Sequence, residues 1–170
     1  MKRRLGGSAP TAPIAILLGL LDEGYDRSAW HGPNLRGSLR GVSARNAAWR
    51  PAPGRHNVWE LALHAAYWKH AARRRLTGGK RGAFPAKGSN WFRRPAEASS
   101  EKAWRADLAL LEREHRALRE VVARFPPKDL ARRKGRRSAT QVIAGVAAHD
   151  VYHAGQIQLV KALRRARHGR

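Results

Sequence analysis

Ser138-Ala139-Thr140-Gln141-Val142-Ile143-Ala144-Gly145-Val146-Ala147-Ala148-His149-Asp150-Val151-Tyr152-His153-Ala154-Gly155-Gln156-Ile157-Gln158-Leu159-Val160 is the stretch whose reading decides the fold. It opens on a capping box: Ser138 accepts from the first-turn amides, and Gln141 reaches back to the amide of Ser138. Behind the cap, Val142, Val146, His149, His153, Gln156 and Val160 recur in steps of four and three, which is the spacing of one helix face. A long helix with a single apolar seam must bury that seam against other elements. Small residues crowd the same segment. Glycine inside a helix costs about 1 kcal/mol relative to alanine, so Gly145 and Gly155 point to close approach of another helix or to space beside a site.

The pattern recurs along the chain. A first helix is predicted over roughly 13–29 through Ile14, Leu18, Leu21 and Tyr25. Gly32-Pro33 interrupts it, a short helix through Leu35, Leu39 and Val42 follows, and Pro51, Pro53 and Gly54 mark a turn. A second long helix opens at the capping box Asn57-Val58-Trp59-Glu60, runs to Leu76 and stops at Thr77-Gly78-Gly79. A third starts near Ser99 and ends at Phe125, with the seam Trp104, Leu108, Leu111, His115, Leu118, Val122 and Phe125. Between them, residues 78–98 form an irregular connection holding Phe84, Trp91 and Phe92, long enough to be functional or mobile. No period-2 strand is predicted. The expected fold is all-α, a four-helix bundle over residues 13–165, with a flexible basic N-terminal extension (1–12) and a basic C-terminal tail (166–170).

A chain of 170 residues buries roughly 70 % of its unfolded surface, so it needs no covalent staple. It has no cysteine, which removes disulfides, thiolate ligands and cysteine nucleophiles and suits the cytoplasm, the expected location. Met1-Lys2-Arg3-Arg4 followed by the apolar run from Ile14 to Leu21 lacks a cleavage site and reads as part of the first helix, and no run is long enough to span a membrane. Lys and Arg number 35 against 12 Asp and Glu, a formal net charge of +23. The basic clusters are Arg73-Arg74-Arg75 with Lys80-Arg81, Arg93-Arg94, Arg132 to Arg137, and Lys161 to Arg170. They form a solvated arginine-rich surface or attract acidic ligands; the charge allows nucleic acid as a partner, but no recognised binding motif favours it.

His149 and His153 stand four residues apart, about 40° around a helix, so both imidazoles can reach one ion. His64 falls between Leu61 and Trp68 at an inward position of the second long helix. Spacing alone leaves two readings open: a metal site, or buried histidines satisfied within the core. Gln156, one turn beyond His153, can donate to a ligand or fill the seam. Glu112-Arg113-Glu114-His115 has the E-x-x-H spacing of di-iron bundles, but the fourth helix offers no second motif, and Asp150 is expected to point away from the His149/His153 face. His115 therefore stands as a core, pocket-lining or outer-shell residue, and Trp68 and Glu60 as further pocket or outer-shell residues. His31, His56, His70 and His168 belong to no constellation.

Trp49-Arg50-Pro51-Ala52-Pro53-Gly54-Arg55-His56-Asn57-Val58-Trp59-Glu60-Leu61-Ala62-Leu63-His64, followed by Tyr67-Trp68, resembles the second-helix region of the DinB-like (YfiT-type) metalloprotein superfamily. His149-Asp150-Val151-Tyr152-His153-Ala154-Gly155-Gln156 is similar to its H-x-x-x-H-x-G-Q motif, and one histidine followed by a pair agrees with its order. The resemblance implies a bundle, often homodimeric, holding one divalent metal ion (Zn, Ni or similar) on His64, His149 and His153. It also implies a metal-dependent S-transferase, or related hydrolase or isomerase, acting on small molecules with a low-molecular-weight thiol. Two other classes stay open: a non-catalytic metal-binding stress protein and a basic nucleic-acid-associated protein. The high basicity departs from what the resemblance requires.

Overall fold

The computed structural model describes residues 10–79, 84–86, 88, 90–94 and 100–168, the side chains of Lys134 and His168 apart. The expected extension up to residue 9, Lys80, Arg81, the start near Ser99 and residues 169–170 lie outside the described residues. The chain is all-α. Its four longer helices are α1 (Ala12–Tyr25), α4 (Val58–Thr77), α5 (Glu101–Ala123) and α6 (Ala139–His168), and two five-residue helices, α2 (Leu35–Leu39) and α3 (Ala44–Ala48), lie between α1 and α4. α4 packs on α5 and α6, α1 on α5 and α6, and α2 against α6.

Local chemistry sets these boundaries. Asn57 accepts from the Glu60 amide at 2.8 Å while the Glu60 carboxylate takes the Asn57 amide, so α4 starts on its predicted capping box. It ends at Gly78, whose φ of 72° is the left-handed cap that glycine adopts without strain. Ser138 and Gln141 close the second box ahead of α6. α1 ends at Tyr25 rather than near residue 29, because the amides of Asp26 and Arg27 both turn back onto the Asp22 carbonyl. α2 stops at Leu39, short of Val42, and Ser43 caps the unpredicted α3 by accepting from the Asn46 amide. A two-residue hairpin, β1 (Arg133–Lys134) with β2 (Arg137–Ser138), turns on Gly135 at φ 72°. Strands of that length carry no alternation for a sequence to show. At the other end α6 runs to His168, so residues 166–168 continue the helix.

Two apolar clusters fill the interior. One joins Tyr25, Leu35 and Leu39 to Trp59, Leu63, Trp104, Leu111 and Ile157; the other joins Ile14, Leu18 and Leu21 to Leu118, Val122, Ile143 and Ala147. The tryptophans satisfy their indole donors where they bury their rings: Trp59 donates to Asp107 at 2.7 Å and Trp104 to the Val42 carbonyl at 2.6 Å. Along α4, α5 and α6 the clusters are separated by a polar layer of Lys69, His70, Glu114, His115, Asp150 and His153, all buried. The close helix approach is at Gly24, where an added Cβ would lie 2.9 Å from the Ala147 carbonyl oxygen; Gly145 and Gly155 face open space instead.

The deepest line of α6 is Ile143, Ala147, Asp150, Ala154 and Ile157, so Val142, His149 and Gln156 of the expected seam run along its half-buried edge. Asp150 does leave the His149/His153 face, and its destination is the core: its carboxylate pairs with Lys69, both side chains fully buried. Lys69 also donates to His115 Nδ1 at 3.4 Å and lies 4.9 Å from the centre of the Tyr25 ring. Burial, opposed by Lys69, pushes the Asp150 carboxyl up to about 6.

Candidate metal centre

His64 lies in the second turn of α4, a register fixed by the Asn57 cap, and His149 and His153 lie on successive turns of α6. The packing of α4 on α6 brings all three rings together. The Nε2 atoms of His64 and His149 are 3.2 Å apart, and those of His149 and His153 are 3.0 Å apart. One ligand atom from each ring lies within 4.8 Å of the others. Nitrogens bound tetrahedrally at about 2.0–2.1 Å would stand roughly 3.3 Å apart, close to these spacings. The group can hold a metal ion.

The outer nitrogens fix which atoms face inward. His64 Nδ1 donates to the Asn90 carbonyl at 2.7 Å, and His153 Nδ1 donates to Gln156 Oε1 at 2.6 Å. With the proton held on Nδ1, each Nε2 carries a lone pair aimed at the shared point. His149 Nδ1 is buried with no partner among the described residues. Trp91 stacks on His64 at 3.8 Å and 7°, and its other face stacks on His56 at 3.6 Å and 9°. Asn90, which holds both His64 and the Trp68 indole (2.9 Å), has φ 65°, the left-handed region that asparagine tolerates better than most residues.

Electrostatics keep the three rings neutral. Burial lowers the His149 pKa to about 3, with the other two histidines and Lys69 adding to the effect, and lowers that of His153 to about 4 against the bond to Gln156. His64 is lowered too, by burial first. Neutral imidazoles are the form that binds a cation.

A groove of about 700 Å³ opens beside the triad, running past Trp68, Trp91 and Gly145 to Arg75 and Arg137, and none of the described residues that line it is a carboxylate. Of the sequence-predicted residues, Gln156 bonds a triad ring directly and Trp68, 41 % exposed, stands edge-on to His64 and His149. Glu60 is placed differently. It holds the α4 cap, pairs with Arg50 at 2.5 Å and bonds His56 at 2.9 Å, reaching the triad only through the His56–Trp91 stack. Burial opposes its ionisation, but those hydrogen bonds prevail and lower its pKa. His115 is not in the pocket; it lies in the core, stacked on Tyr25 at 3.8 Å. His56 and His70 do have partners, His70 bonding Glu114 at 3.3 Å. Asn90, which bonds His64 and Trp68, is the residue beside the triad that the sequence does not point to, since a lone loop asparagine in a Gly-rich segment shows no pattern.

The sequence profile of the DinB superfamily matches residues 29–157, a span that holds all three histidines. No curated protein and no solved structure matches the chain significantly. The chain belongs to the DinB superfamily.

Proposed function

We propose, with membership of the DinB superfamily as the premise, that the protein binds one divalent metal ion (Zn, Ni or similar) through His64, His149 and His153 and uses it for chemistry on a small-molecule thiol or water. The observation that carries this reading is the convergence of three Nε2 atoms whose tautomers are set, in two of three rings, by Nδ1 hydrogen bonds. His64, His149 and His153 would hold the ion with three nitrogens, and the ion would supply the acidity that makes a thiol or water a nucleophile near neutral pH. That chemistry needs no separate strong base, which agrees with the lack of a carboxylate among the described residues of the groove. Transfer of the thiolate to an electrophile is the reaction class we favour.

Metal analysis tests the first half. Wild type is expected to carry about one ion per chain, and His64→Ala, His149→Ala and His153→Ala little; retention in all three variants ends the reading. Thiol consumption by metal-loaded protein, with an alkyl halide or epoxide as acceptor, tests the second half. Stoichiometric metal without turnover against a broad set of thiols leaves the non-catalytic metal-binding reading in its place.

Homodimerisation is part of the same proposal. Tyr152, Leu159 and Leu163 of α6 are 63 %, 59 % and 45 % exposed and repeat at helical spacing, an apolar stripe that a second copy would cover. Light scattering should find a dimer in wild type and a monomer in Leu159→Glu. A monomeric wild type removes the dimer from the proposal.

A further inference from the structure

At one end of the bundle a second groove of about 660 Å³ has walls of Arg75, Arg124, Arg132, Arg133 and Arg137 around an apolar floor that includes Leu76, Phe125 and Val142. Asp129 is the one acidic residue among the described residues that line it. Two of these arginines have a structural explanation: Arg75 and Arg124 stand at the C-terminal ends of α4 and α5, where a cation offsets the helix dipole. The others do not. Arg132, Arg133 and Arg137 precede the N-terminus of α6, where the dipole is already positive and further cations are disfavoured.

Carboxylates do not compensate them. Elsewhere five of the acids pair with other arginines: Asp22 with Arg119, Glu60 with Arg50, Asp107 with Arg94, Glu112 with Arg116 and Glu114 with Arg73. Among the described residues none pairs with Arg132, Arg133 or Arg137. The frame that carries them is nonetheless tied down. Arg75 Nη2 donates to the Arg137 carbonyl at 3.3 Å, and the Thr140 amide and hydroxyl each bond the carbonyl of buried Leu130 at 3.0 Å. Several guanidinium groups lining one groove with a single acidic residue among the described ones, beside an apolar floor, favour a multiply charged anion with an apolar part.

We propose that this groove binds a small organic phosphate, its phosphate on the Arg132, Arg133 and Arg137 guanidinium groups and its apolar moiety on Leu76, Phe125 and Val142. The groove shares Arg75, Arg137 and Val142 with the one beside the triad, but none of the three histidines lines it, and binding there does not depend on metal.

Calorimetric titration of the full chain with 1-naphthyl phosphate and with inorganic phosphate, at about 0.15 M salt to screen loose surface attraction, tests it. Naphthyl phosphate is expected to bind one per chain and at least about tenfold more tightly than inorganic phosphate, as burial of its apolar ring requires. Arg132→Ser/Arg133→Ser should weaken it about tenfold or more through lost charge-assisted bonds. The control Arg45→Ser/Arg167→Ser, which removes the same charge at other exposed positions, should leave affinity within about twofold. Circular dichroism checks that both variants are folded. No binding by wild type, equal loss in the two variants, or equal affinity for the two phosphates overturns the proposal. So does a duplex DNA fragment that binds more tightly than naphthyl phosphate and weakens in both variants alike, the mark of a diffuse nucleic-acid surface.

Discussion

Gln156 does for His153 what the carbonyl of Asn90 does for His64: each takes the Nδ1 proton and turns Nε2 toward the triad. The two devices differ in how open they are to substitution. A backbone carbonyl survives any side-chain change, whereas Gln156 is removed by one. Gln156→Ala is expected to weaken metal binding by about 10–100-fold while about one ion per chain still binds at saturation. Competition with a chelator of known affinity measures this. An unchanged affinity would show that His153 is oriented by its packing alone. At the far side of the same amide Gln156 Nε2 donates to the Tyr152 hydroxyl at 3.1 Å, which fixes Gln156 with its oxygen toward His153.

α4 and α6 are joined at their middle by charge as well as by packing. Lys69 and Asp150 sit between the two apolar clusters with no solvent exposure, and among the described residues each is the other's ion-pair partner. Lys69→Met leaves a buried carboxylate alone and should cost about 3–5 kcal/mol in urea unfolding, whereas Lys69→Met/Asp150→Leu should regain most of it. A single variant as stable as wild type would mean that the pair contributes little. This contact also shows where sequence reading ends. The capping boxes at Asn57 and Ser138 were legible because they are bonds between residues three apart. The inward positions of His64 and His153 were legible from periodicity. Asp150 was read only as pointing off the histidine face, because its partner is 81 residues away and a charge on a helix gives no sign of a buried mate. α3 and the hairpin at Gly135 escaped because each is too short to set a period, and Asn90 because its role depends on backbone φ and a carbonyl, which are the same in name for every residue.

Over the whole molecule, buried neutral histidines make stability depend on pH. His115 is held down to about 2 by burial and by Lys69 and nearby arginines, against an ordinary value of 6.5. The unfolded chain therefore binds a proton that the folded chain refuses: the contribution is fully present above pH 6.5 and is lost as pH falls from there toward 2. For this one residue the loss is about 1.4 kcal/mol per pH unit below its ordinary value. Urea unfolding of wild type and His115→Phe between pH 7 and about pH 4 should show the variant with the shallower slope. Equal slopes would mean that His115 titrates freely in the fold. The acidic side of the charge balance is too sparse to hide this effect, with 12 carboxylate side chains against 35 bases.

The His56–Trp91–His64 stack has a further consequence, in optics. Trp91 is one of six tryptophans, and its indole face is laid flat against the imidazole of His64. An open-shell ion such as Ni²⁺ or Cu²⁺ at the triad would quench its emission through that ring, and closed-shell Zn²⁺ would leave it bright. Emission would thus report which ion occupies the triad, and Trp91→Phe would weaken that report, leaving the part carried by Trp68, edge-on to His64 and His149.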